Sequence, residues 1–447
     1  MSRKYFGTDG VRGPYGGALI NEEFFACLTA AAVKWAANKT EGNGPLRVLV
    51  GRDTRASGAT LEKAVLQAIA SAGAQPVSLG ILPTPAVARS VKTTGANLGV
   101  VITASHNPAT DNGIKFFGPS GQKLTDAEEE KIESLLGAKA LACTHSAEVD
   151  SNALSDYVDA AEQLLPANAL VGWKIVIDTA NGATCATSPE VLRRLGAEII
   201  GLGNNPDGVN INAGVGSEHP EKLAAKVRET GARLGIAHDG DGDRCILCDE
   251  QGSVLDGDEI LTILAVDALK HRALAKNTLV VTVQSNFGVD AAVKSAGGHV
   301  YRTNVGDRYV IERMRQEGAL LGGESSGHIV CADVSPTGDG LIAALRVLAV
   351  MIRTGEPLSA LRRVLYKYPQ ATKAVKVREK RDLSLCSALG AAIKHLEASL
   401  GDEGRVLVRY SGTEAKLRFL VEAPSDEKAA QGIAALEAAA KLDLDVL

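Results

Sequence analysis

Residues 95–108 read GANLGVVITASHNP, and the pattern of the first five, G-A-x-L-G, returns at 231–235 (GARLG) and 318–322 (GALLG) and nowhere else in the chain. Each copy sits where an amphipathic segment gives way to an apolar run. A glycine there takes the left-handed conformation that ends a helix, and the residues after it start a strand. Each strand then runs into an unusual polar loop: TASHNP (103–108), HDGDGDR (238–244) and GESSGH (323–328). In open α/β sheets the ligand lies beyond the carboxyl ends of the strands, so three equivalent loops are expected to face one cleft. A bare G-A pair only punctuates α/β chains, as at Gly73-Ala74 and Gly196-Ala197. The full pentamer followed by a polar loop argues instead for a triplicated unit.

Outward from these junctions the same grammar repeats: strand, Gly or Pro turn, amphipathic helix, strand. RVLVGRD leads into LEKAVLQAIASAG and PVSLGIL, and Thr125 with Glu128 forms a capping-box pattern at the head of TDAEEEKIESLLG. WKIVIDTANG restarts the pattern after a polar stretch near residue 150, and DGDEILTILAVDALK, TLVVTVQSN and HVYRTNVG carry it again. After about residue 370 it changes to KAVKVR, a helix around Leu389–Leu400, RVLVRY, the loop SGTEAK, LRFLVEA and a last helix. The fold expected is three related α/β domains, 1–154, 155–258 and 259–370, with a smaller α+β domain at 371–447, arranged around a central active-site cleft.

The bulk properties suit that reading. At 447 residues the chain exceeds one ordinary core, and 45% apolar with 23% charged residues is the balance of a globular enzyme. A net charge of −5 provides no basic field for nucleic acid or an anionic membrane, so anionic ligands must be met locally. MSRKYFGTDG lacks the apolar core of a signal peptide, and the apolar stretch Leu341–Ile352 is interrupted by Arg346, which points to a cytoplasmic protein. Seven scattered cysteines form no disulfide framework. Cys245 and Cys248 are spaced CxxC, but strand periodicity puts them on opposite faces and no second pair completes a zinc site, so both are expected to pack in a core.

Three loops carry chemistry. In DGDGDR an extended backbone would put the carboxylates of Asp239, Asp241 and Asp243 on one side, where so much like charge needs a counter-cation. Hard oxygen ligands suit Mg²⁺ or Ca²⁺ and leave positions free for a phosphate oxygen or water. A solvated surface turn is the plain alternative. An EF-hand loop matches Asp239, Asp241, Asp243 and Glu250, but Arg244 stands where that loop needs glycine and the flanks read as strands. Ser105 lies on a loop between an apolar strand and Pro108, placed either as a nucleophile or as a turn residue. Arg409, Ser411, Gly412, Thr413 and Arg418 supply hydroxyls, a flexible backbone and two guanidiniums, which suit a phosphate dianion.

Taken in order, TASHNP, DGDGDR, GESSGH and RYSGTEAKLR resemble the signature loops of the α-D-phosphohexomutase family across essentially the whole chain. FGTDGVRG at the start, NGIKFF after the serine loop, VGDRY and TGDG are similar to those of its bacterial members acting on glucosamine phosphate. The resemblance implies a heart-shaped, four-domain enzyme that interconverts glucosamine 6-phosphate and glucosamine 1-phosphate through a 1,6-bisphosphate, supplying UDP-N-acetylglucosamine synthesis. It implies Ser105 as the phosphoserine, holding Mg²⁺ together with Asp239, Asp241 and Asp243. It implies Glu324, Ser326 and His328 at the sugar, and Arg409, Ser411, Gly412, Thr413 and Arg418 at the non-reacting phosphate. Arg12, Lys115 and Arg244 would lie near the reacting phosphoryl group, with Lys115 or His328 shuttling the proton. Glucosamine or glucose 1,6-bisphosphate would prime Ser105. The partners implied are phosphosugars, without nucleic acid or membrane, and a homodimer is left open.

Two positions depart from the family pattern: Ser325 where the glucosamine enzymes carry Asn or Gln, and Ala415 where the phosphate loop carries Pro. The alternatives are a sister mutase for glucose or mannose phosphate and, in another class, a non-catalytic phosphosugar-binding protein.

Overall fold

The computed structural model describes residues 3–40, 45–137, 147–411 and 415–447. They form two compact units, one of Met1–Gln284 with Ala296–Val364, the other of Ser285–Ser295 with Leu365–Leu447.

The larger unit contains three sheets built on one plan, and the pentamer explains it. Helices Thr84–Thr94, Glu221–Thr230 and Asp307–Glu317 end at Gly95, Gly231 and Gly318, with φ of 69°, 60° and 67°, and each glycine N–H donates back to the carbonyl of Val91, Val227 or Met314. The alanine after it is buried in every copy and donates to the same carbonyl. The leucine is buried. At the second glycine, a side chain on Gly99, Gly235 or Gly322 would strike Val91, Val227 or Met314 respectively, so its absence lets the helix seat directly on the strand.

The strands that follow, Leu98–Ile102, Leu234–Ala237 and Leu321–Gly323, occupy equivalent places. Each pairs antiparallel with the strand returning from the polar loop: Asp111–Phe117, Ile246–Asp249 and Ile329–Cys331. On the other side each pairs in parallel with Arg47–Arg52, Lys174–Asp178 or Thr278–Thr282, which pairs onward with Gln75–Ile81, Glu198–Leu202 or His299–Thr303. Each polar loop is thus the bend of an antiparallel hairpin at the carboxyl end of a central strand. Both edge strands of the first sheet carry no sequence signal, Val11–Pro14 paired with Asp111–Phe117 and Glu148–Val149 paired with Gln75–Ile81, and the helix Glu22–Ala37, whose Phe25, Leu28 and Val33 are buried, likewise stands outside the elements expected from the sequence.

The capping box forms as expected, Thr125 accepting from the Glu128 N–H and Glu128 reaching back. Cys245 and Cys248 are fully buried, and burial pushes the Cys248 thiol up to about 12. The apolar helix Gly340–Thr354 is a buried core element, and no helix among the described residues is long and apolar enough to cross a membrane.

In the smaller unit, Lys416–Glu422 is the central strand of an antiparallel sheet between Gln370–Lys376 and Arg405–Tyr410. Helices Ser387–Leu400 and Asp426–Asp443 pack together beside it, burying Leu389, Leu417, Phe419 and Leu436. The helix Gly288–Ser295 clusters with this unit: Asn286 exchanges hydrogen bonds of 3.0 Å with the backbone of Tyr368, and the Phe287 N–H donates to Glu422.

Candidate active site

Ser105 heads the first polar loop in a left-handed backbone conformation, φ 51°, which a non-glycine residue adopts only where its surroundings enforce it. The enforcement is visible. Its N–H donates to Thr103 Oγ1 at 2.9 Å, and the Thr103 hydroxyl donates to Asp53 at 2.7 Å. Asp53 is paired at 2.9 Å with Arg55, both side chains being wholly buried. The Arg55 guanidinium then donates to the carbonyls of Ser105 (3.0 Å), Asn107 (2.8 Å), Asp111 (2.9 Å) and Pro108. From the second sheet's loops, Asn212 Nδ2 donates to the carbonyls of Ser105 at 2.9 Å and Asn107 at 3.0 Å. Gly240 has no side chain because the Ser105 carbonyl occupies that space.

The Ser105 hydroxyl donates to Asp239 Oδ2 at 2.6 Å and lies 3.3 Å from His106 Nδ1. Burial, with Arg244 and Arg12 nearby, lowers the His106 imidazole to about 4, so at neutral pH it is an uncharged neighbour of the hydroxyl.

Asp239, Asp241 and Asp243 converge, each offering an oxygen within 4.8 Å of the others, and all are buried. The reason is not the extended backbone expected from the sequence. The loop turns, with Gly242 at φ 76° and its N–H donating to the Asp239 carbonyl, and the turn gathers the three carboxylates. The EF-hand alternative ends here too: the flanks are the paired strands Leu234–Ala237 and Ile246–Asp249, and Glu250 accepts from Ser359.

Electrostatics separates the three acids. Burial, then Asp241 and Asp243, drive the Asp239 carboxyl up to about 8. Burial and Asp243 also raise Asp241, but the Lys115 ammonium at 2.8 Å and the Thr84 hydroxyl at 2.6 Å outweigh them and hold it below the usual range. Asp243, against its burial, is held well below that range by Lys115 and His328. The Oδ1 atoms of Asp241 and Asp243 are buried acceptors without a hydrogen-bond partner. Three hard oxygen donors, two with orphaned acceptors and one unable to ionise freely beside the others, fit a divalent cation.

Above this cluster lies a cavity of about 290 Å³ lined by Ser105, Arg12, Arg244, Lys123, Asp307 and, from the third polar loop, Glu324, Ser325, Ser326 and His328. Glu324 accepts from the Gly306 N–H at 3.0 Å, and burial raises its carboxyl. His328, whose burial would lower it, is raised by Asp243 and Asp307 on either side of the ring. Burial lowers Arg12, which is paired with Asp9. Lys115 is 1% exposed, its ammonium enclosed by Asp9, Asp241 and Asp243.

In the smaller unit, Arg409 and Arg418 stand directly opposite each other on adjacent strands. Burial and Arg418 lower the Arg409 guanidinium. Paired like charges are unfavourable unless an anion joins them. Arg418 reaches Ser411 Oγ at 3.5 Å, and Lys380 donates to the Ser411 carbonyl at 2.7 Å. Gly412 and Thr413 lie outside the described residues.

Asp9, Asp53, Arg55, Lys123, Asn212 and Asp307 join the site through the fold, without a motif that marks their roles in the sequence. The available signal was charge beside a buried strand end, as in VGRDTR; for Asn212 there was none.

Family profiles of phosphoglucomutase/phosphomannomutase match the chain four times in order: α/β/α domain I at residues 3–141, domain II at 155–252, domain III at 256–368 and the C-terminal domain at 373–440. Phosphoglucosamine mutase of Geobacter metallireducens is 46% identical over 94% of both chains, and that of Moorella thermoacetica 46% identical over 97% of this chain and 98% of its own. The crystal structure of a phosphoglucomutase/phosphomannomutase family protein from Burkholderia thailandensis superposes with a TM-score of 0.83 at 24% identity, covering all of both chains. Aspergillus fumigatus N-acetylphosphoglucosamine mutase, solved with GlcNAc-6P and magnesium, gives 0.64 at 18% identity over 98% of this chain and 96% of its own. By these four successive domains and by relatives nearly half identical along their whole length, the chain belongs to the phosphoglucomutase/phosphomannomutase family, among its phosphoglucosamine mutases.

Proposed function

We propose that the chain interconverts glucosamine 6-phosphate and glucosamine 1-phosphate by way of a phosphorylated Ser105 and a glucosamine 1,6-bisphosphate. The observation carrying this reading is the Ser105 hydroxyl, held at 2.6 Å from Asp239 on a strained loop and lining a cavity that also presents Arg12 and Arg244. We divide the chain accordingly at about residues 154, 258 and 370, with one functional loop from each part.

Phosphoryl transfer requires in-line placement and neutralisation of the oxygens around phosphorus more than covalent assistance. Arg12 and Arg244, both lining the cavity, take the phosphate oxygens. Mg²⁺, for which Asp239, Asp241, Asp243 and the Ser105 phosphate are the holders, supplies positive charge at the transferring group. In the forward half, the sugar C1 hydroxyl attacks phosphoserine and gives up its proton, and the Ser105 oxygen leaves with its electron pair and takes a proton; Lys115 or His328 relays the proton, giving one to the leaving oxygen as the attacking hydroxyl replaces it. In the second half, after the sugar has turned over, the Ser105 hydroxyl attacks the C6 phosphoryl group and gives up its proton, and the C6 oxygen leaves with its electron pair and takes a proton. Glu324 and Ser326 hold the sugar hydroxyls, while Arg409, Ser411, Gly412, Thr413 and Arg418 grip the phosphate that is not reacting. Glucosamine or glucose 1,6-bisphosphate restores a dephosphorylated Ser105.

For sugar choice, the C2 amine is cationic and the cavity presents the carboxyl of Glu324. Glucosamine 6-phosphate is expected to exceed glucose and mannose 6-phosphates in kcat/KM by roughly ten-fold, about 1.4 kcal/mol of differential binding. Initial rates on one phosphorylated preparation with all three sugars test this. Equal or better rates with glucose or mannose phosphate would move the assignment to a sister mutase and leave the covalent chemistry standing.

A further inference from the structure

Six side chains of the larger unit close a ring of alternating charge beside the cavity. Lys123 Nζ lies 2.5 Å from Asp9 Oδ1 and also contacts Asp307. Asp9 Oδ2 lies 2.9 Å from Lys115 Nζ, which is 3.5 Å from Asp243. The His328 ring closes the circuit, Nδ1 at 3.6 Å from Asp243 and Nε2 at 3.4 Å from Asp307. The lysine side chains are only 2% and 6% exposed, at Lys115 and Lys123 respectively. The Ser105 hydroxyl is bonded to Asp239 and faces His106, and neither Lys123 nor Asp307 is among its hydrogen-bond partners in the described residues.

A buried ammonium must be fully paired, and Lys115 has three carboxylates for its three donors. Two of them, Asp241 and Asp243, belong to the cation cluster, which leaves Asp9 as the anchor outside it. Asp9 Oδ2 faces both Lys115 and Arg12, while its other oxygen is fixed by Lys123. Lys123 therefore sets the orientation of Asp9, and Asp307 sets Lys123.

We propose that Lys123 and Asp307 are positioning residues of the phosphoryl-transfer site, which hold Asp9 and through it fix the Lys115 and Arg12 cations beside the transferring group. The inference rests on the mutase reading above. Without Lys123, Asp9 and Asp307 face an empty ammonium site and repel each other, and Asp9 turns away. Cations set for the transition state are then misplaced while the sugar and its distal phosphate still bind, so the loss falls on kcat.

The test is steady-state kinetics with glucosamine 6-phosphate on full-length wild type, Lys123→Met, Asp307→Asn and the double variant, with thermal melts of each. Lys123→Met is expected to lose roughly 30- to 100-fold in kcat with KM within about three-fold of wild type. The double variant is expected to be no slower than Lys123→Met, since the second change removes the repulsion created by the first. Should Lys123→Met fail to fold, the charge-balanced double variant carries the same kcat-against-KM test. Unchanged kcat in Lys123→Met, a loss wholly in KM, or losses that multiply in the double variant would overturn the proposal while active wild type keeps the mutase reading. Inactive wild type would overturn both.

Discussion

Ser105→Ala is expected to lower mutase turnover by at least about 10⁴-fold while leaving the folded structure in place. The hydroxyl is the one group on its loop aimed at the carboxylate cluster, at 2.6 Å from Asp239. The loop does not depend on it, because the backbone of Ser105 is held by Thr103, Arg55 and Asn212 through its N–H and carbonyl. Alanine keeps those bonds and the left-handed conformation. The variant should therefore melt within a few degrees of wild type, and its intact mass should lack the phosphate adduct that wild type acquires from a sugar 1,6-bisphosphate. Turnover close to wild type would remove Ser105 from the mechanism.

The second large effect is expected on stability. Arg55→Met removes the guanidinium that serves the carbonyls of Ser105, Asn107, Pro108 and Asp111 and leaves Asp53 buried without its counter-charge. Breaking one side of a buried ion pair costs about 3–5 kcal/mol. Asn212 still serves the carbonyls of Ser105 and Asn107, so the loop is loosened more than lost. Urea unfolding followed by circular dichroism should give a clearly lower midpoint, with turnover reduced even well below it because Ser105 is no longer fixed in position. An unchanged midpoint would mean that the Asp53–Arg55 pair is not what holds the loop.

Much of this architecture was legible because it is local. G-A-x-L-G predicted three helix-to-strand junctions, since a left-handed glycine cap and a glycine under a helix are requirements of the backbone itself. The capping box of Thr125 and Glu128 is likewise set by a spacing of a few residues. The Asp239–Asp241–Asp243 cluster was found for an incorrect reason: alternation suggested a strand face, whereas the left-handed Gly242 turns the loop and brings the carboxylates together. What remained illegible is long-range. Lys123 and Asp307 stand 184 positions apart, and Asn212 is 107 positions from the serine whose carbonyl it caps. No spacing rule joins such partners, and only the folded chain makes their pairing necessary, through the cost of burying each charge or carbonyl alone. The strand Val11–Pro14 was missed because its short VRGP carries too few residues for alternation to register.

Transfer of label from Ser105 to the sugar tests the covalent mechanism most directly. The protein would be phosphorylated at Ser105 with ³²P from a labelled sugar 1,6-bisphosphate, freed of ligand, and mixed with unlabelled glucosamine 6-phosphate. The account predicts that the label leaves the protein and appears in glucosamine phosphates, with none in Ser105→Ala carried through the same steps. Label that stays on the protein, or that leaves only as inorganic phosphate, would contradict it.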